Sequence, residues 1–329
     1  MDRRTFIKTT GILTASAAVL SAGDLAARPQ QAESPKSVNP FEQPGQWYKA
    51  AFHVHTITSD GDVDVPTRLA QYRKLGYSVV TITDHWKTND LTGMSDDTFL
   101  AICGMEFHPR TGTGAPAHHL LALDLPHPFE FDRNLPAQDL VDKAVAAGAK
   151  VFYAHPYWTA HTLAEMSEIT GYLGLEVYNG VCDIRRAKGF ANVHWDQALN
   201  KGIMLTAIAT DDVHSSKEIN KGWTMIKAPA LNKSAIMAAM GSGSFYASCG
   251  PVIHDFRIAD GAVTIQCSPA VQIIFQFDGA AAGKVFNAEP GKTIEKAEWK
   301  LPARPPKWVR AEVIDQNNNR TWTNPIIPK

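Results

Sequence analysis

Two histidines two residues apart mark the part of the chain with the clearest chemical potential. In the stretch "FHVHTITSDG", His53 and His55 fall on one face of an extended segment, because alternate side chains of a strand point to the same side. Asp60 follows in a turn that Gly61 closes. Two imidazoles and a carboxylate can share a metal ion, but a strand with chance polar positions gives the same pattern. This stretch alone leaves both interpretations open.

Histidines and carboxylates recur at the ends of the apolar segments that follow. They are Asp84 and His85 in "TDH", Glu106 and His108 in "GMEFH", His118 and His119 in "HHLLAL", His155 in "FYAH", Glu176 and Asn179 in "LEVYNG", and Asp211, Asp212 and His214 in "ATDDVH". Active sites of α/β barrels are built at the carboxyl ends of the strands. The sequence therefore predicts that many of these side chains meet at one edge.

These potential ligands are too many for a single ion, which takes about four to six. The sequence predicts two to three divalent transition metal ions, and a mixture of imidazole and carboxylate suits Zn, Mn or Fe. Clustered ions hold an oxyanion, lower the pKa of bound water and neutralise a leaving oxygen. The residue types therefore predict hydrolysis of an ester or a related bond.

Short apolar segments alternate with helical patterns from about residue 47 to residue 250. This alternation is typical of a parallel sheet covered by helices, and roughly six or seven such units favour a closed α/β barrel. Asp64 is predicted to cap the first helix, with Pro66 in its first turn. The remaining histidines are assigned to packing or surface roles on helices (His161, His194) and in loops (His127, His254).

Residues 251–329 have a different character. They lack a helical pattern and consist of short alternating segments joined by Gly, Asn and Pro turns, which predicts a small domain like a β-sandwich. The four cysteines leave disulfides and buried free thiols equally open. The net charge of −1 does not indicate a nucleic-acid-binding surface.

The N-terminus carries a different kind of signal. Residues 1–32 begin with Arg3 and Arg4, continue into an Ala-, Leu- and Val-rich stretch, and resemble a twin-arginine export signal. Residues 33–46 are rich in Pro and polar residues and are predicted to form a linker. We therefore expect an exported protein, periplasmic or extracellular, whose mature chain has no membrane span.

As an ordered set, the motifs "HVHTITSDG", "TDH", "GMEFH", "HHLLAL", "AHP" and "TDDVH" resemble those of the PHP (polymerase and histidinol phosphatase) superfamily over about residues 47–250. The resemblance implies a distorted seven-stranded (β/α) barrel with a trinuclear metal site. By motif, it implies His53, His55, Glu106 and Asp212 for a first ion, Glu106, His119 and His155 for a second, and Asp60, His85 and His214 for a third.

Two positions in these motifs offer a choice of residue. His119 is preferred to His118 because it directly precedes "LLAL", and the family spacing Asp-x-His selects Asp212 rather than Asp211. Asp211 and Asp84 are then predicted to serve catalysis by orienting ligands.

The resemblance implies a phosphoesterase that acts on a small or phosphorylated substrate. The segment "GWTMIKAPALNKSAIMAAM" and the tail also resemble an exported subgroup related to carbaryl-type carbamate hydrolases, so carbamate, amide or carboxyl-ester hydrolysis is the alternative. The predicted substrate contacts are Arg110, Asn179 and Arg186, with Arg185 beside them, while Tyr157 and Trp158 either form an aromatic wall or simply pack.

A second alternative is a non-catalytic binding protein, which missing ligands would indicate. None is missing from the motifs. The tail tryptophans Trp308 and Trp322 are the one hint of a binding surface there, and packing in a core is the simpler explanation for them.

Overall fold

A computed structural model of the chain describes residues 38–279 and 282–328. The predicted export signal and the start of the predicted linker lie outside the described residues. Among those described, no helix is both long and apolar enough to cross a membrane. The four cysteines, at positions 103, 182, 249 and 267, are free thiols.

The described chain forms strands and helices in alternation and then strands alone. The strands are β1 (Gln46–Ala51), β2 (Val79–Ile82), β3 (Leu100–Phe107), β4 (Leu120–Leu123), β5 (Lys150–Tyr153), β6 (Gly174–Asn179), β7 (Thr206–Thr210), β8 (Trp223–Ala228), β9 (Phe245–Ser248), β10 (Ile253–Ala259), β11 (Ala262–Ala270), β12 (Gln272–Phe277), β13 (Lys284–Asn287), β14 (Ile294–Lys300), β15 (Val309–Ile314) and β16 (Arg320–Thr323). The helices are α1 (Val65–Lys74), α2 (Ala137–Ala146), α3 (Leu163–Met166), α4 (Gly180–Arg186), α5 (Asn192–Asn200) and α6 (Lys233–Ser242), and a short 3-10 helix spans Pro40–Glu42.

The fold is mixed α/β, with one large sheet and one small antiparallel sheet. The large sheet has the strand order β13-β12-β15-β16-β9-β8-β1-β2-β3-β4-β5-β6-β7, and the small sheet has the order β10-β11-β14. Past the end of β1, Val54 also forms a parallel bridge with Val213, just past the end of β7. The large sheet runs across the predicted domain boundary at residue 250, and that boundary stays a prediction.

The expectation of a purely parallel sheet is wrong at β4. Strands β1 to β3 are parallel, as are β5 to β7, but β4 is antiparallel to both β3 and β5. Parallel neighbours need a long crossover, usually a helix, and residues 108–119 between β3 and β4 contain none. The start of β4 therefore lies at the same edge as the carboxyl ends of β1 to β3 and β5 to β7.

Local signals explain where the helices begin. The Asp64 side chain accepts a hydrogen bond from the Thr67 N–H at 2.9 Å, and Pro66 lies in the first turn of α1, as predicted. The helix predicted to contain His161 is shorter than expected, since α3 has four residues; a capping box of Thr162 and Glu165 begins it. His161 therefore precedes the helix, and His254 lies on β10 rather than in a loop.

The tail folds as strands, as its lack of helical pattern predicted. The small sheet packs on β12 and β15 around apolar side chains such as Phe256, Phe275 and Val313. The tail also pairs and packs with elements formed by residues before 250. Strand β16 pairs with β9, and Trp308 and Trp322 share a core with Trp195 of α5. Both tail tryptophans are buried, so packing accounts for them.

We expect Trp322→Ala to lower the free energy of unfolding by about 3–5 kcal/mol, because it leaves a large cavity in a shared core. Chemical denaturation monitored by circular dichroism would measure this. Val285→Ala is the control, since Val285 is 48% exposed on β13 and should change stability little. An equally small effect of both substitutions would show that the tail does not brace the fold.

Candidate metal centre

The buried carboxylate of Glu106, near the end of β3, lies at the middle of the predicted ligands. Its Oε2 atom is 3.0 Å from His53 Nε2, 3.3 Å from His55 Nε2 and 3.0 Å from His85 Nδ1. Asp212 faces the same histidines, with Oδ1 3.1 Å from both His53 Nε2 and His55 Nε2. Ligand atoms of His53, His55, Glu106 and Asp212 all lie within 4.8 Å of one another, so this set can hold one ion.

The other oxygen of Glu106 faces a second set of histidines. Its Oε1 atom is 2.8 Å from His119 Nδ1 and 3.4 Å from His155 Nε2. His119 reaches this position because β4 is antiparallel, so a histidine that precedes the strand lies beside one that follows β5. His108 lies close by, with Nε2 3.4 Å from Oε1 and its ring stacked on His119 at 3.9 Å.

A third set lies nearer to solvent. Asp60 Oδ2 is 3.3 Å from His214 Nε2 and 3.5 Å from His85 Nε2, and His55 completes the group within 4.8 Å. The Asp60 side chain is 53% exposed. All nine predicted ligands thus fall into three adjoining sets, with Glu106 and His55 each in more than one.

The donor set and its unpaired atoms fit bound cations. Within the described residues, His55 Nε2, His85 Nδ1 and Asp212 Oδ1 are buried, and their close contacts with one another and with Glu106 do not have the geometry of hydrogen bonds. Buried polar atoms without partners are rare in folded proteins unless an ion or water meets them. Imidazole nitrogens and carboxylate oxygens together suit Zn, Mn or Fe.

The charges of the site depend on one another. Burial would raise the pKa of Glu106, but the charge of His53 and hydrogen bonds from other imidazoles hold it well below its usual value. Burial opposes the charged form of His85, yet Asp60 and Glu106 raise its pKa to about 10. Burial lowers the pKa of His119 to about 4, against the effect of Glu106. Near neutral pH a cation that binds here must displace the extra proton of His85, whereas Glu106 and His119 are already in the form that binds metal.

Glu176 on β6 is a buried residue of the site to which the sequence analysis gave no role. Its Oε1 atom accepts hydrogen bonds from His53 Nδ1 at 2.7 Å and Thr210 Oγ1 at 2.6 Å. Its Oε2 atom accepts from the His155 N–H and from Asn179 Nδ2, each at 2.8 Å. The signal in the sequence is one carboxylate inside an otherwise uncharged strand. Glu176 therefore orients the ligand candidates His53 and His155.

Asn179, a predicted substrate contact, is fully buried instead of facing the cavity. Its Nδ2 atom donates to Glu176 and, at 3.2 Å, to Asp212 Oδ2, and its Oδ1 atom accepts from the Cys182 N–H at the start of α4. These bonds favour a role in holding the carboxylates in place over direct contact with a substrate.

Asp211, a predicted catalytic residue, is fully occupied by hydrogen bonds. Oδ1 accepts from the Gly222 N–H at 2.9 Å and from the Lys221 N–H, and Oδ2 accepts from Tyr72 Oη and the Asn220 N–H, both at 2.8 Å. It ties the segment around residue 220 to the strand end that carries the ligand candidates. Its geometry favours positioning over proton transfer to a substrate.

Asp84, the other predicted catalytic residue, is buried in the same manner. Oδ1 accepts from the Thr56 N–H at 2.8 Å and from Ser59 Oγ at 2.6 Å. Oδ2 accepts from Thr56 Oγ1 and Asn89 Nδ2, both at 2.7 Å. Asp84 thereby fixes the turn between His55 and Asp60, and it does not line the cavity.

A cavity of about 250 Å³ opens onto the three sets. Its lining residues are Asp60, His85, Glu106, His119, His155, Trp158, Val181, Cys182, Arg185, Arg186, Asp212 and His214. Of the predicted substrate contacts, Arg186 lines the cavity, whereas Arg110 is exposed and is not part of the lining. Arg185 also lines it, and the guanidinium of Arg185 pairs with Glu218, with Nε 2.6 Å from Oε1.

His118, the histidine not preferred in the motif, points elsewhere. It is buried, and its Nδ1 atom is 2.7 Å from Tyr153 Oη, which also contacts His161 Nδ1 at 2.7 Å. His119 contacts Glu106, and its choice over His118 as a ligand stays a prediction.

We expect Glu176→Gln to weaken metal binding about 10- to 100-fold, because an amide orients His53 less strongly than a carboxylate does. Titration of the metal-free protein with Zn²⁺ would measure the change. Glu298→Gln, on the exposed part of β14, is the matched control. Unchanged affinity in Glu176→Gln would rule out the orienting role.

Comparison with known proteins gives matches to solved structures alone. No family model matches the chain, and no curated protein matches it. It is similar to a two-domain protein from Bacteroides vulgatus that contains a predicted PHP-like metal-dependent phosphoesterase, with 16% identity and a TM-score of 0.48 over 90% of this chain and 99% of that one.

Two further solved structures are similar to parts of the chain. PsfC from Pseudomonas syringae is 15% identical with a TM-score of 0.43, over 60% of this chain and 88% of that one. The lesion-specific endonuclease PfuEndoQ from Pyrococcus furiosus is 15% identical with a TM-score of 0.40, over 61% and 57%. The roles of the residues in this chain therefore rest on the geometry described above.

Proposed function

We propose that this protein is a metal-dependent hydrolase that cleaves phosphoesters. The observation that carries the proposal is the position of Glu106, whose two carboxylate oxygens face two different groups of histidines at one cavity. A carboxylate in this position can bridge two ions, and paired ions suit an oxyanion substrate. The sets around Glu106 and Asp60 support two to three ions of Zn, Mn or Fe.

Ions in these sets would lower the pKa of a bound water and neutralise charge on the phosphoryl oxygens. The protein prepares its ligands by fixing their tautomers. His53 Nδ1 donates to Glu176, so Nε2 is the atom that would bind an ion in place of its proton. His214 Nδ1 donates to the Asp212 carbonyl oxygen at 2.8 Å, so its Nε2 is the atom left for an ion beside Asp60. These bonds reduce the reorganisation that metal binding requires.

The cavity also supplies positive charge for an anionic substrate. Arg185 is neutralised by Glu218, whereas Arg186 forms no salt bridge within the described part of the chain, and its Nη1 atom donates to the Arg185 carbonyl oxygen. A guanidinium without an acidic partner at the rim can bind a phosphoryl oxygen. Arg186 is therefore our candidate for substrate binding, and Arg110 is a weaker one.

Two further proposals concern the barrel and the location of the protein in the cell. Strands β1 to β7 form a distorted seven-stranded barrel, supported by the Val54–Val213 bridge, where the His55 N–H donates to the Val213 carbonyl at 3.1 Å. The twin-arginine-like start of the sequence supports export to the periplasm or cell exterior.

We expect His55→Ala and Asp212→Ala each to lower metal content and to reduce hydrolysis by more than about 100-fold, because each removes a ligand from the set around Glu106. Metal analysis of the purified variants and steady-state kinetics would measure both effects. His254→Ala, an exposed histidine on β10, is the control. Full activity in either ligand variant would refute the assignment.

A substrate panel tests the bond type. We expect the metal-loaded protein to cleave a chromogenic phosphomonoester or phosphodiester faster than a carbamate or carboxyl ester of the same alcohol, because clustered ions best stabilise charge on a phosphoryl group. Initial rates with matched leaving groups make the comparison direct. Clear carbamate cleavage with inert phosphoesters would replace our proposal with the alternative hydrolase.

A further inference from the structure

Trp158 is a large aromatic side chain that stays exposed at the edge of the metal centre. It is 42% exposed and lines the cavity beside His119 and His155. The indole ring meets both imidazoles edge on, with centroid distances of 5.5 and 5.2 Å and interplanar angles of 65° and 79°. Its contacts with the ligand candidates therefore leave much of the ring uncovered.

The backbone that carries Trp158 is held by a network of hydrogen bonds. The Trp158 N–H donates to the His155 carbonyl at 2.9 Å, and the His161 N–H donates to the Pro156 carbonyl at 3.0 Å. His161 is in turn fixed by Tyr153 Oη and, through Nε2, by the Pro116 carbonyl at 2.8 Å. These bonds fix the backbone from which the indole projects, so less of this turn has to be ordered when a ligand binds.

The cavity has an apolar side next to the predicted ligands. Val181 and Cys182 from α4 supply the rest of its apolar lining, and the volume of about 250 Å³ is small. Binding pockets for drug-sized ligands start at roughly 300 Å³. A group that fits here beside an oxyanion is therefore of the size of a single ring.

Tyr157 lies in the same turn as Trp158 and provides a comparison, because it does not contact the cavity. It is 45% exposed, but it does not line the cavity, and it lies under Lys188 with Nζ 5.6 Å from the ring centroid. Exposure alone therefore does not distinguish Trp158. Its place in the cavity lining beside His119 and His155 does, because aromatic faces in concave sites are typical ligand contacts.

We propose that Trp158 binds an aromatic ring of the substrate, so that the preferred substrates are aryl esters of phosphoric acid. The inference rests on the proposed function. Hydrolysis of an aryl phosphate breaks the bond between phosphorus and the aryl oxygen and forms a bond between phosphorus and the water oxygen. One proton of the water goes to the aryl oxygen, giving a phenol, and the other stays on the inorganic phosphate.

The test compares two probes that cannot be hydrolysed, phenylphosphonate and methylphosphonate, by calorimetric titration of the zinc-loaded protein. We expect phenylphosphonate to bind about tenfold more tightly, as an aromatic contact of this kind allows. Trp158→Ala should remove this preference, Trp158→Phe should keep most of it, and Tyr157→Ala should leave it unchanged. Zinc content and thermal unfolding of each variant show whether the centre and the fold are intact.

Equal binding of the two phosphonates, or an unchanged preference in Trp158→Ala, would overturn the inference. Hydrolysis of phenyl phosphate and methyl phosphate by the same proteins separates it from the proposed function. A Trp158-dependent preference without hydrolysis of any ester supports the aromatic site and refutes the phosphoesterase. Hydrolysis of the esters without a preference for the phenyl compound supports the phosphoesterase and overturns the aromatic site. Failure of both phosphonates to bind overturns the aromatic site and the phosphoesterase together.

Discussion

The structure depends on compensating the negative charge of Glu106, which is buried away from water. A carboxylate that is 1% exposed is stable only when positive or hydrogen-bonding groups surround it. Here imidazoles contact both of its oxygens, and His53 is itself bonded to Glu176. Burying the Glu106 carboxylate without the imidazoles, or the charged imidazoles without the carboxylate, would destabilise the fold. The strands that carry these residues must therefore end at the same edge. The arrangement that meets this requirement also creates a place for cations.

The polar residues around the metal centre are also buried and must also be hydrogen-bonded. Asp84 fixes the turn before Asp60, Asp211 fixes the segment near residue 220, and Asn179 links Glu176 to Asp212. Each is buried and holds backbone or ligand groups instead of facing the cavity. Much of the polar content of this region thus serves geometry, and a smaller set of side chains is left to meet a substrate.

The features that could be predicted from the sequence are those where chemistry and local pattern coincide. Histidines at strand ends predicted a convergence that the structure contains, and Asp64 marked the start of α1. The direction of β4 was missed because strand pairing is a long-range property, although His119 precedes its strand while the other histidines follow theirs. The buried bonds of Asn179 and the contact of Trp322 with the first core depend on residues far away in the chain, and no local pattern reports them.

The side chain of Asn324 ties the end of the chain to its middle. Its Oδ1 atom accepts from the Ala207 N–H on β7 at 2.9 Å, and its Nδ2 atom donates to the Phe245 carbonyl at 3.0 Å. Strand β7 leads directly into Asp212 and His214. A chain still being synthesised lacks these bonds until residue 324 has been made, so the strand that supports two of the candidate ligands stays without them long after its own residues have been made.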